Sequence, residues 1–134
     1  MPKHSLDEVR IQTLKLIDTV VASTASELDR QCDVSINTET IDASGAVSVT
    51  KRMTKILSTG AGAITIAAPD ASSYGMVKVI EMTGGEHDIT LALTNCQGQS
   101  SGTTATFSDT NDTLVLVAGT NKWNVIGEAG IALS

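Results

Sequence analysis

The chain has 134 residues, a net charge of −6 and 41% hydrophobic residues, but only one Trp, one Tyr and one Phe. This length fits one domain with an appendage rather than two full domains. The nine basic residues are spread along the chain instead of forming a basic patch, which disfavours direct binding of nucleic acid. The longest apolar run is far shorter than a membrane span, so no membrane association is expected.

Residues 1–33 are predicted to form an N-terminal helical arm. The segment 5–31 contains neither Gly nor Pro, and it opens with a capping box, Ser-Leu-Asp-Glu. An apolar stripe then recurs at alternating three- and four-residue steps. Such a face needs a partner surface, which is either the protein's own domain or a coiled-coil seam between subunits. The candidate interaction residues of the arm are Leu14, Ile17, Val21 and Leu28.

Two interpretations of this arm remain open. Residues 19–24 are rich in β-branched and hydroxyl side chains, which lower helix propensity. A second capping box, Thr-Ala-Ser-Glu, follows at residues 24–27. The arm is therefore either one continuous helix or two helices joined at Ala22 and Ser23.

Residues 34–134 are predicted to form a β-domain. Short β-branched runs alternate with clusters of Gly, Asn, Asp and Ser, which is typical of strands and turns. Eight short strands without intervening helices favour an antiparallel β-sandwich or barrel of the jelly-roll kind. The predicted strands cover residues 46–49, 53–58, 63–67, 76–82, 89–93, 103–107, 113–117 and 122–126.

Ionisable residues cluster at two places, and neither pattern predicts catalysis or metal binding. Glu86, His87 and Asp88 follow a Gly-Gly turn at a predicted hairpin tip, where such side chains are usually solvated. Residues 109–112 lack the glycine and the distal Glu of a calcium loop, so Asx turns are expected there. The sequence predicts a protein that is not an enzyme and that has no cofactor and no metal.

Two further residue types are informative. Cys32 and Cys96 form no CxxC pair, and the chain begins without a secretory signal, so both thiols are predicted to be free and buried. Trp123 follows a predicted hairpin turn and is the candidate core anchor. A carbohydrate-binding surface would normally expose several aromatic rings, and one Trp does not supply that platform.

Three segments resemble virion proteins of tailed bacteriophages. Residues 24–30, Thr-Ala-Ser-Glu-Leu-Asp-Arg, resemble a linker that recurs in that group, and Asp-Val-Ser follows at 33–35. Residues 62–69 are similar to a strand that ends in two small residues and a Pro. Residues 123–127, Trp-Asn-Val-Ile-Gly, are similar to a closing strand of these proteins. The segments are distributed over residues 24–127.

The resemblance implies a trimeric decoration (cement) protein that binds the outside of a phage head and stabilises the capsid. Its partners would be further copies of itself and the major capsid protein, and its location would be the virion, assembled in the host cytoplasm. The short chain and an arm that could clamp capsid subunits favour this function. The alternative is a receptor- or glycan-binding module of a phage head or tail fibre.

Overall fold

The computed structural model describes residues 15–16, 19–20, 37–99 and 102–134. The chain divides into two compact units, Met1–Asp33 and Val34–Ser134. The described residues form strands and turns without a helix, so they contain none that could cross a membrane.

In the first unit, β1 (Lys15–Leu16) and β2 (Thr19–Val20) form an antiparallel pair. The predicted helix is therefore wrong at these four residues, whether it is continuous or jointed, and the helical arm is not supported. The β-branched side chains of Thr19 and Val20 favour a strand over a helix. Several predicted features of the arm lie outside the described residues, namely both capping boxes and the proposed joint. The candidate interaction residues Leu14, Ile17, Val21 and Leu28 lie outside them too.

The second unit contains two sheets. Its strands are β3 (Thr38–Asp42), β4 (Gly45–Val47), β5 (Met53–Ser58), β6 (Gly62–Ile66), β7 (Val77–Gly85), β8 (Ile89–Ala92), β9 (Cys96–Gln97), β10 (Thr104–Phe107), β11 (Thr113–Ala118), β12 (Trp123–Ala129) and β13 (Ala132–Leu133). The order is β3-β5-β7-β11-β12-β9 in the six-stranded sheet and β13-β10-β8-β6-β4 in the five-stranded sheet. All eight predicted strands are present, with ends shifted by three residues or fewer, while β3, β9 and β13 were not predicted.

From β3 to β8 the chain alternates between the two sheets. β3, β5 and β7 pair in parallel in one sheet, and β4, β6 and β8 pair in parallel in the other. Parallel neighbours need a crossover connection, and each crossover here contains a strand of the opposite sheet. The later strands β10 to β13 add antiparallel pairs, and β9 pairs in parallel with β12.

The prediction of a β-rich domain is confirmed, but the antiparallel arrangement is wrong because both sheets are mixed. The physical reason lies in the turns. Gly- and Asn-rich turns show where a strand ends, but they do not show whether the next strand returns beside it or crosses to the other sheet.

One hydrophobic core contains residues from both sheets. Ile80 and Leu116 of the six-stranded sheet and Leu91 and Phe107 of the five-stranded sheet are all fully buried. Burying one such side chain contributes about 1.5–3 kcal/mol. Trp123 is also fully buried, and its indole Nε1 donates a hydrogen bond to Ala67 O at 2.9 Å. The ring therefore combines apolar packing with a partner for its one polar atom.

Candidate assembly surface

Valines of β7 and β11 lie on the side of the six-stranded sheet that is turned away from the core. Alternate residues of a strand point to opposite faces, and Ile80 of β7 is fully buried. Val77 and Val79 of β7 therefore lie on the opposite face. The register places Val117 of β11 opposite Val77 and Val115 opposite Val79. We call these four residues the valine face.

Large exposed hydrophobic side chains concentrate on this sheet. Among the described residues, four such side chains are exposed: Leu57 in β5, Tyr74 just before β7, Val77 in β7 and Ile126 in β12. Val77 is 48% exposed and Ile126 is 59% exposed. Ile126 protrudes because the register between β11 and β12 shifts at a bulge, which leaves one extra residue on β12. The five-stranded sheet has no exposed hydrophobic side chain of this size among its described residues.

β5 extends the valine face with two apolar residues, Met53 and the exposed Leu57, and with the charged Lys55 between them. The register places Met53 of β5 beside Val79 of β7, and Lys55 of β5 beside Glu81 of β7. Lys55 is exposed, while Met53, Val79 and Glu81 are half-buried. The outer face of β5 and β7 thus has an apolar row next to a row with one positive and one negative charge. These residues together carry no net charge, although the whole chain carries −6.

The five-stranded sheet has a different outer face. The residues of β6, β8 and β10 that point away from the core are all Ala or Thr, namely Ala63, Thr65, Thr90, Ala92, Thr104 and Thr106. These short side chains offer little apolar area to a partner. A partner that covers the six-stranded sheet would therefore bury more apolar area than one that covers the five-stranded sheet.

Lys78 is fully buried on the core side of β7, where three oxygen atoms surround its ammonium group. Its Nζ donates to Lys51 O at 2.7 Å, to Ser48 O at 2.9 Å and to Glu39 Oε1 at 3.4 Å. Glu39 Oε1 also accepts from Thr54 Oγ1 at 2.6 Å and from Ser48 N at 2.9 Å. Burial lowers the pKa of Lys78 to about 8, although the attraction of Glu39 opposes this change.

The Lys78 cluster has a structural role. It joins β3, β5 and β7 to the connection between β4 and β5, so it fixes the parallel part of the six-stranded sheet. An amine with a pKa near 8 could act as a nucleophile if a substrate reached it. Because Lys78 has no solvent-exposed surface, it does not meet a substrate in this structure.

Glu86, His87 and Asp88 lie in the turn between β7 and β8, and all three are exposed. The backbone of this turn is held by β5 and β6. Ser58 Oγ donates to His87 O at 2.7 Å and accepts from His87 N at 3.1 Å, and Gly62 N donates to Asp88 O at 3.2 Å. In the described part of the chain, no group of three or more His, Cys, Asp or Glu residues is placed to hold a metal.

Residues 109–112 form the turn that precedes β11. Asp112 is buried, and its Oδ2 accepts from the backbone nitrogens of Ser108 at 2.8 Å and Asp109 at 3.0 Å. The carboxylate therefore bonds the backbone of its own turn. Its donors precede it in the chain, so this is not the predicted Asx turn, in which the side chain bonds the backbone two residues further on.

Trp123 and Cys96 occupy paired positions of β12 and β9, and both are buried. Trp123 therefore has no exposed ring surface for a sugar. Burial raises the pKa of the Cys96 thiol to about 11, although Lys122 opposes this change. The thiol is protonated at neutral pH and is a weak nucleophile. Cys32 lies outside the described residues.

A shallow groove lies beside the bulge of β12. Residues 98–99 and 125–128 line a volume of about 210 Å³, and Glu128 is the one ionisable residue among them. The groove includes the exposed Ile126, and its lining is both polar and apolar.

The valine face and Lys78 are not among the residues predicted from the sequence, although both leave a signal in it. Residues 113–118, Thr-Leu-Val-Leu-Val-Ala, lack the polar alternation of a strand with one solvated face, which indicates apolar residues on both faces. Lys78 lies two and four positions before Ile80 and Met82, so period-two alternation places it with these core residues.

Comparison with family models and with curated proteins finds no match for this chain. The function is therefore argued from the surfaces described above.

Proposed function

We propose that the protein is a capsid decoration protein, which binds the outside of a phage head as a homo-oligomer and stabilises the shell. The observation that carries the proposal is the concentration of exposed large hydrophobic side chains on the six-stranded sheet. Contiguous apolar patches on a protein surface usually mark contacts with other proteins. The resemblance of residues 24–30, 62–69 and 123–127 to phage virion proteins supports this kind of assembly, with a trimer as the expected order.

The two sheets are proposed to pack face to face as a sandwich. Both contribute to one hydrophobic core, which supports this arrangement. Each sheet then keeps one outer face for contacts, and the six-stranded sheet has the more apolar one.

The energy of each contact is modest, and its repetition over the shell is what stabilises the head. A fully buried Val contributes about 1.5–3 kcal/mol, and three of the four valines are already half-buried. The acidic chain can pair with basic patches on the major capsid protein. Such charge pairs determine how the two proteins are aligned more than how tightly they bind. The arm residues Leu14, Ile17, Val21 and Leu28 remain the candidates for a clamp on neighbouring capsid subunits.

Binding to phage heads tests the proposal. Purified protein is added to expanded heads that lack it, and binding is measured by co-sedimentation together with the temperature at which the heads open. We expect saturable binding and a higher opening temperature. Absence of binding at micromolar concentrations would refute the decoration function. Deletion of residues 1–31 tests the clamp separately, because undiminished binding would exclude the arm but keep the function.

One observation favours the fibre alternative. Tyr74 is 51% exposed and lies four residues after the exposed carboxylate of Asp70, which accepts from Ser72 N and Oγ. An exposed ring beside polar groups is a common contact for sugars. A glycan array with the wild type and a Tyr74→Ala variant separates the two functions. Glycan binding that is lost in the variant would support the alternative, and no binding is expected from a decoration protein.

A further inference from the structure

The outer faces of β5 and β7 carry matched pairs of residues. Met53 lies beside Val79, and both are apolar, whereas Lys55 lies beside Glu81, with the opposite charge. Neighbouring strands are about 4.8 Å apart, and rows on one face are about 7 Å apart. Met53 and Lys55 therefore each have next to them, on β7, a residue of the type that they would best contact in another molecule.

We propose that copies of this chain meet through β5 and β7, with β5 of one copy against β7 of the next. A symmetry axis parallel to the strands and in front of this pair brings Met53 to Val79 of the next copy. The same axis brings Lys55 to Glu81 of the next copy. This contact forms in a two-fold dimer and in a three-fold ring. The inference rests on the proposed function, since it names the surface of the homo-oligomer.

Charge argues for a second copy as the occupant of this face. The chain carries −6, so two copies repel each other over most of their surfaces. The face of β5 and β7 is neutral and carries both signs in an order that complements itself. A basic coat-protein surface would instead select an acidic face. The outer face of the five-stranded sheet has no such pair in its Ala and Thr rows.

The size of the face predicts the strength of the contact. A two-fold axis in front of β5 and β7 brings four strands of each copy face to face, namely β3, β5, β7 and β11. These four strands span about 19 Å, and three rows of side chains span about 20 Å. The flat area is therefore about 400 Å² per copy, about half of the 800 Å² that a specific interface typically buries on each partner. We expect association at micromolar rather than nanomolar concentrations, with further strength from binding side by side on a shell.

Charge reversal tests the contact. Lys55→Glu and Glu81→Lys each place like charges against each other between copies, and each should weaken association about tenfold. The double variant restores the opposite pairing and should associate like the wild type. Sedimentation equilibrium of the wild type, both single variants and the double variant measures these constants.

An equimolar mixture of the two single variants then reports the symmetry. In a two-fold dimer that contains one copy of each variant, both contacts pair a glutamate of one copy with a lysine of the other, so the mixture recovers wild-type association. A three-fold ring has an odd number of contacts and keeps one like-charged pair, so its recovery is partial. Thermal unfolding of each variant verifies that the domain is folded.

Matched lysine substitutions test the apolar row. Val79→Lys on the proposed contact should weaken association, whereas Thr106→Lys on the outer face of the five-stranded sheet should leave it unchanged. Association of Lys55→Glu and Glu81→Lys at wild-type strength would overturn the inference. So would a double variant that associates no better than the single ones.

The contact and the decoration function can fail separately. A wild-type protein that is monomeric at high micromolar concentrations, yet binds heads, would refute the contact and leave the decoration function standing. A protein that associates through β5 and β7, yet does not bind heads, would refute the decoration function and leave the contact standing.

Discussion

The stability of the β-domain should rise, level off and then fall across alkaline pH, because two buried groups titrate there with opposite effects. Burial lowers the pKa of Lys78 from 10.5 to about 8 and raises the pKa of Cys96 from 9.0 to about 11. Stability changes with pH wherever the folded and unfolded chains bind different numbers of protons.

Lys78 makes stability rise with pH. Below pH 8 the amine is charged in both states, and the folded state bears the cost of burying that charge. Between pH 8 and 10.5 the folded chain has released a proton that the unfolded chain still holds, so the folded state gains. One pH unit corresponds to about 1.4 kcal/mol, so the full gain is about 3 kcal/mol.

Cys96 has the opposite effect. Its thiol ionises near pH 9 in the unfolded chain but near pH 11 in the folded chain. Stability is therefore lost between pH 9 and 11, by about 3 kcal/mol in all. The two effects together give a rise of about 1.4 kcal/mol from pH 8 to 9, a plateau to pH 10.5, and then a fall.

Urea unfolding at half-unit pH steps measures this profile. Trp123 is the single Trp of the chain and is fully buried, so its fluorescence reports unfolding of the β-domain. Lys78→Met keeps the length of the side chain and removes the charge, so its stability should be flat up to pH 9 and then fall. The stability of the Cys96→Ala variant should continue to rise up to pH 10.5. A wild type without a rise between pH 8 and 9, or a Lys78→Met variant that rises equally, would refute the reasoning.

Two sets of core and turn variants give further predictions. Trp123→Phe leaves a cavity and an unpaired Ala67 carbonyl, so it should lower the free energy of unfolding by about 2–4 kcal/mol. Urea unfolding followed by circular dichroism measures this loss, and a loss below about 1 kcal/mol would contradict the packing of the indole. A Cβ on Gly62 would overlap with Ala43 O, whereas one on Gly60 would meet nothing within 4 Å. Gly62→Ala should therefore lower the free energy of unfolding by about 3 kcal/mol, while Gly60→Ala should change it by no more than about 0.5 kcal/mol. Equal effects of the two substitutions would refute the placement of β6.

Strands of the β-domain could be predicted from the sequence because their signals are local. Residues 53–58, Met-Thr-Lys-Ile-Leu-Ser, alternate between core and surface, and the predicted strand matches β5 in both bounds. β9 and β13 have two residues each, which is too short for periodicity to show. The parallel pairing of β3, β5 and β7 depends on which strands meet across long loops, and no local pattern encodes that.

The candidate surface was less predictable than the strands. An outward Val has the same signature in the sequence as an inward one, and only the buried position of Ile80 shows which face of β7 points to the core. The complementarity of Met53 with Val79 and of Lys55 with Glu81 depends on register between strands more than 20 residues apart. At Thr19 and Val20, intrinsic strand preference outweighed the helical spacing of the surrounding apolar residues.

The most direct test of the account is the location and copy number of this protein in purified virions. Quantitative mass spectrometry gives the copies per particle, and cryo-electron microscopy of the head gives their positions. A decoration protein predicts hundreds of copies in symmetric clusters on the outer surface of the capsid. A few copies at one vertex or on the tail, or none in the particle, would contradict the central claim.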